Sequence, residues 1–147
     1  MPPADDGHAH ITSARVARSA SDALAFLTNP DNLKSWALTR GDVEILAPDL
    51  VKGVATGDGS DVFVRIQQPE GSDAVYYRVG GDPDNLAPRI MVQVMAGPHI
   101  NADDNQCVVS MLAWRSAAWD DARWSALVDA HEAEIHVIKK LIEDDQS

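Results

Sequence analysis

Between residues 41 and 115, apolar positions recur at every second residue in short β-branched runs, each closed by a turn signal. That alternation predicts an antiparallel meander. Its strands are "DVEILA" (42–47), "LVKGVAT" (50–56), "VFVRIQQ" (62–68), "AVYYRV" (74–79), "RIMVQVMA" (89–96) and "CVVSMLAWR" (107–115). The Asp-Gly pair within "GDGS" (57–60) suits a tight hairpin. An earlier run, "HITSARVA" (10–17), adds a first strand, so seven are expected.

Two stretches carry the helical period instead. In "SASDALAFLTNPDNLKSWA" (19–37), Ser21 is a candidate N-cap, and Leu24 and Leu27 form an apolar stripe. Asn29 and Pro30 close this helix and open a second one, with Pro at the favoured first position and Leu33 and Trp36 as anchors. The last stretch predicts one long helix from about Asp120 to about Asp144. On its wheel Trp124, Leu127, Val128, His131, Ile135, Ile138 and Ile142 share one side, and Asp129, Glu132, His136, Lys140 and Glu143 the other. His131 is thus expected between helix and sheet, and His136 in water. Burial keeps His131 neutral at pH 7 unless Glu134, at the edge of the same face, reaches it.

Within the sheet, the alternation predicts inward rows of Val62, Val64 and Ile66; Val75, Tyr77 and Val79; Ile90, Val92 and Val94; and Val108, Leu112 and Trp114. Arg65, Arg78, Arg89 and Arg115 then face outward, where nearby Asp and Glu make ordinary pairs for them. Only a register slip or β-bulge would turn Arg65 or Arg89 to the mouth of an interior cavity to hold a ligand carboxylate. Met91, Met95, Val109 and Met111 fall opposite the inward rows, an apolar outer patch with room for a homodimer. Trp36, Trp114 and Trp124 are expected to be largely buried.

A strand, two short helices, six antiparallel strands and a long closing helix is a distinctive order. Through "SASDALAFLTNPDNLKSWA" and "WDDARWSALVDAHEAEIHVIKKLIED" the chain resembles the START and pollen-allergen-like superfamily, the polyketide cyclase/dehydrase and lipid-transport group known as SRPBCC. The resemblance implies an α+β helix-grip domain over residues 10–144, behind a flexible tail of residues 1–9. In that fold a seven-stranded antiparallel sheet wraps around the C-terminal helix and leaves an apolar cavity between them. Physics agrees, because only this helix is long enough to cover the apolar face of the sheet. The expected function is binding of a small hydrophobic molecule, with His131, Tyr77, Trp114, Leu127, Ile135, Val64, Val92 and Leu112 lining the cavity. The superfamily also contains lipid carriers, hormone receptors, aromatase-cyclases and chaperone activators, so the fold alone does not choose among them. One alternative is a cyclase or dehydratase using His131 as acid or base with Tyr77 as its hydrogen-bond partner. Another is a protein-interaction module that needs only surfaces.

Charge narrows the partners. Twelve Lys and Arg against 23 Asp and Glu give a net charge of -11, a field that repels nucleic acid and anionic membranes. The apolar runs are too short for a membrane span, and "MPPADDGHAH" lacks the marks of a signal peptide. With the single Cys107, this predicts a cytoplasmic protein. No cofactor is expected, and no metal. "HEAEIH" (131–136) misses the HExxH signature by one residue, so its histidines point about 140° apart on a helix. His8 and His10 with His99 are a loose tail-and-loop set, "GVATGDGS" lacks the lysine of a phosphate loop, and "GDGSD" lacks the ligands of a calcium loop. Elemental analysis of desalted protein is expected to find no stoichiometric zinc, iron or calcium; about one metal per chain would overturn that reading.

Overall fold

Ser19, not Ser21, starts the first helix: its hydroxyl accepts the Asp22 N–H at 3.1 Å. The helix, α1 (Ala20–Thr28), buries Ala23, Phe26 and Leu27. Asn29 then accepts from the Asp31 N–H at 3.0 Å and caps a short 3-10 turn that begins at Pro30, and α2 (Leu33–Trp36) follows. Ser21 is exposed on the outer side of α1 because the chain enters the helix two residues earlier than the apolar stripe suggests.

The computed structural model describes residues 7–36, 39–55 and 59–144, with the side chains of residues 34, 36, 39–42 and 55 outside the description. Most of the expected tail, Asp58 of the expected hairpin's Asp-Gly pair and the burial of Trp36 therefore lie outside the described residues.

The strands are β1 (Ala9–Val16), β2 (Thr39–Ala47), β3 (Leu50–Ala55), β4 (Asp61–Gln67), β5 (Ala74–Gly80), β6 (Ala87–Ala96) and β7 (Cys107–Trp114). They form one antiparallel sheet in the order β1-β7-β6-β5-β4-β3-β2. A meander of six strands is closed by β1, which comes first in the chain and pairs with the last strand.

One row differs from the alternation. In β7 the buried residues are Cys107, Val109, Met111 and Ala113, so Val108, Leu112 and Trp114 lie on the outer face. β7 is apolar on both faces, and alternation cannot orient such a strand. Pairing does: Met111 is opposite Val92 and Val109 opposite Val94, both buried residues of β6. The outer face keeps an apolar strip of Ile11, Met91, Met95, Val108 and Leu112, with Ile11 65% exposed. Trp114 is only half-buried.

The long helix α3 (Asp121–Asp144) is capped by Asp120, whose carboxylate accepts the Arg123 N–H at 2.8 Å. Its inner stripe of Trp124, His131, Ile135, Ile138 and Ile142 is buried, the last three in a core with Val16, Leu27, Val75, Tyr77, Val92, Val109 and Met111. One flank is tied to the edge strand β1. Lys139 donates to the Arg15 carbonyl at 2.6 Å, Glu143 accepts the Ala17 N–H at 2.8 Å, and Glu132 holds His10 at 2.8 Å and the Thr12 hydroxyl at 3.2 Å. Since Glu132, Lys139 and Glu143 occupy that flank, the opposite one faces away from β1 and carries Arg123, Leu127 and Glu134. These anchors fix how the helix is rolled over the sheet.

Candidate functional site

His131 is fully buried, while His136 is exposed, as the wheel places them. Neither ring nitrogen of His131 has a hydrogen-bond partner among the described residues. Burial pushes its pKa down to about 4; the adjacent His10 adds to the shift, and Glu132 opposes it. The ring is therefore neutral at pH 7, with one N–H donor and one acceptor nitrogen unused.

Glu134 lies one turn further along α3, about 60° round toward the flank away from β1. Its Oε1 is also buried without a partner. Burial raises its pKa to about 8, so it too is mainly neutral at pH 7 and can donate as well as accept. Glu134 is neither bonded to His131 nor charging it. A buried polar atom without a partner costs roughly 1–3 kcal/mol, and a fold seldom tolerates three in one place without a use.

Tyr77 is buried on β5, and its hydroxyl donates to the Leu27 carbonyl at 2.6 Å, near the end of α1. Desolvation pushes its ionisation well above the usual phenol range. The bond expected between Tyr77 and His131 is absent, and Tyr77 clamps α1 to the sheet instead. Val64, Val92 and Ile135 are buried on inward positions, and Leu127 is half-buried on the free flank of α3. Leu112 and Trp114 leave the expected lining, because their row of β7 faces outward. Cys107 is buried at the start of β7.

The strand arginines divide. Arg65 reaches Asp49 at 3.7 Å and Arg115 reaches Asp121 at 2.8 Å. Arg78 bonds the Gln67 side chain and the Leu86 carbonyl instead of a carboxylate. Arg89 lies at a register shift in the β5–β6 pairing, where Tyr77 opposes Ile90 but Arg78 opposes Pro88, and its guanidinium sits over the Trp119 ring. Alternation of polar and apolar residues carries no signal for that bulge.

A cleft of about 150 Å³ opens between α1 and the end of α3, lined by Arg18, Asp22, Phe26, Asn29, Asn32 and Ile142 among others. Arg18 and Asp22 on its wall bond each other at 3.0 Å, so its charges are already matched, and His131 is not part of it. The buried pair on α3 is the stronger site. Among the described residues, no three of His, Cys, Asp and Glu gather to hold a metal ion, and no helix is long and apolar enough to cross a membrane.

No protein-family model and no curated protein sequence matches the chain. Solved structures do. A START superfamily protein from Mycobacterium smegmatis superposes with a TM-score of 0.62 at 11% identity, covering 92% of this chain and 94% of that one. The Aha1 dimer from Colwellia psychrerythraea matches at 0.64 and 16%, covering 95% and 98%. The di-domain ARO/CYC protein BexL of the BE-7585A biosynthetic pathway matches at 0.65 and 14%, covering 92% of this chain and 46% of its own. The likeness is one of architecture: seven antiparallel strands, short helices after the first and a long closing helix give this chain the helix-grip fold that these SRPBCC proteins share.

Proposed function

We propose that the protein binds a small, mostly apolar molecule between the sheet and α3, and that a neutral polar group of that molecule completes the hydrogen bonds of His131 and Glu134. The observation that carries this reading is the unpartnered polar face of α3: both nitrogens of His131 and one oxygen of Glu134, buried and unsatisfied. A ligand offering one donor and one acceptor to His131 and a further hydrogen-bonding group to Glu134 would satisfy them, and apolar residues of the interior such as Val64, Val92 and Ile135, with Leu127 on α3, would hold its body.

A second reading uses the same pair. A neutral imidazole one turn from a neutral carboxylic acid can accept a proton at one position and deliver one at another, the minimum a cyclase or dehydratase requires. Binding is common to both readings, so it is tested first.

Native mass spectrometry of the protein purified from its source cells is expected to show a small-molecule adduct that organic solvent extracts. His131→Leu is expected to lose that adduct while stabilising the fold by roughly 1–3 kcal/mol, since it removes two unsatisfied buried nitrogens. A variant that keeps the adduct, or loses stability, would make His131 an ordinary core residue.

A further inference from the structure

Trp119, in the loop between β7 and α3, has two guanidinium groups at its ring. The central carbon of Arg89 is 5.6 Å from the ring centroid and that of Arg123 is 4.8 Å from it. No hydrogen bond or ion pair of either guanidinium is found among the described residues. Elsewhere Arg18, Lys52, Arg65, Arg115, Lys139 and Lys140 each have a carboxylate within 4 Å, and Arg15 and Arg78 bond the Gln106 and Gln67 side chains. For a chain of net charge -11, two cations at one ring with neither bonded to an acid or amide are unexpected, and Asp120 and Asp121 lie just before Arg123 in sequence. Those acids are committed elsewhere: Asp120 caps α3 and Asp121 holds Arg115.

The cluster is built by specific local features. The β5–β6 register shift leaves Arg89 as the extra residue of β6, and such a bulge re-aims its side chain. Arg115 donates to the Trp119 carbonyl at 3.0 Å while bonding Asp121, which pins the loop to the start of the helix. Trp119 lies 6.5 Å from Trp124, centroid to centroid, and Trp124 is buried on the stripe that reaches His131 seven residues later. Arg123, Leu127 and Glu134 follow one another along the free flank. The rise of a helix puts Glu134 about 16 Å beyond Arg123. Cation, apolar surface and neutral hydrogen-bonding group therefore succeed each other along one face.

Building on the binding function proposed above, we infer that the ligand is an amphipathic anion. Its carboxylate, sulfonate or phosphate sits between Arg89 and Arg123 beside Trp119, and its apolar body runs along Leu127 to the His131–Glu134 pair. Each guanidinium offers five N–H donors in a planar fork suited to an oxyanion.

A matched pair of fluorescent probes tests this: 8-anilino-1-naphthalenesulfonate and uncharged N-phenyl-1-naphthylamine, which share their rings and differ by the sulfonate. Both are expected to bind one per chain, the sulfonate about tenfold or more tighter at low salt, as charge-assisted bonds to an anion imply. Arg89→Gln, Arg123→Gln and the double variant should reduce that preference stepwise toward zero and leave the neutral probe unaffected. High salt should erase it in the unaltered protein, a measurement that needs no variant. Equal affinities for the two probes, or a preference that survives both the double variant and high salt, would overturn the anionic ligand and leave interior binding intact. Failure of either probe to bind at one per chain would count against the interior site itself and against this inference with it.

Discussion

Glu134→Gln is expected to make the protein markedly more stable at alkaline pH and to change little in acid. In the fold the Glu134 carboxyl has its pKa raised from 4.5 to about 8 by burial. A raised folded pKa means that the native state holds its proton where the unfolded chain has released it. The stability linked to that proton is fully present below about pH 4.5 and is lost as pH rises through about 8. At 1.36 kcal/mol per pH unit between 4.5 and 8, the loss is on the order of 5 kcal/mol by pH 9. Gln keeps the shape and hydrogen-bonding capacity without a proton to lose, so its advantage should grow between pH 4.5 and 8 and then level off. His131 acts in the opposite direction, because its pKa is lowered to about 4: stability is complete above about pH 6.5 and falls as pH drops through 4. That slope is common to both proteins and cancels in the difference. Urea denaturation at a series of pH values measures the difference directly, and parallel curves would mean that Glu134 is ionised and solvated in the fold.

Ile138→Ala and Leu33→Ala are each expected to cost about 2 to 4 kcal/mol, as large-to-small core replacements do. Ile138 is completely buried on the inner stripe of α3, and Leu33 is 2% exposed at the start of α2. Both belong to the core joining the helices to Val16, Val92 and Val109 on the sheet. Each truncation removes apolar contact and leaves a void whose rigid walls, a helix and a hydrogen-bonded sheet, close it only in part. Losses below about 1 kcal/mol for both would mean that the two helix faces are wrongly assigned. Set beside His131→Leu, the pair separates residues that hold the fold together from one that the fold carries at a cost.

The elements of this protein were legible because their signals are local. Asn29 and Pro30 punctuate the first helical stretch, the wheel of α3 separates wet from dry residues, and alternation with turn signals marks seven strands. Burial of His131 followed from the same period, since a residue seven positions from Trp124 and Ile138 shares their face. The order of the elements was enough to place the chain in the helix-grip fold.

Elsewhere the answer came from neighbours distant in sequence. β7 is apolar on both sides, so only the pairing of Met111 with Val92 decided that Leu112 and Trp114 face outward. Alternation put Arg89 among the outward arginines, but its place over the ring of Trp119, thirty residues on, comes from the tertiary structure alone. Tyr77 belongs to an inward row, but the Leu27 carbonyl, fifty residues away, claimed its hydroxyl. Sequence by itself determined the elements, their order and which face of the long helix is apolar, because those depend on periodicity and on caps a few residues apart. Tertiary structure alone decided which polar atoms find partners and which, on His131 and Glu134, are buried without one, because a hydrogen bond depends on what lies across the interior and not on what lies along the chain.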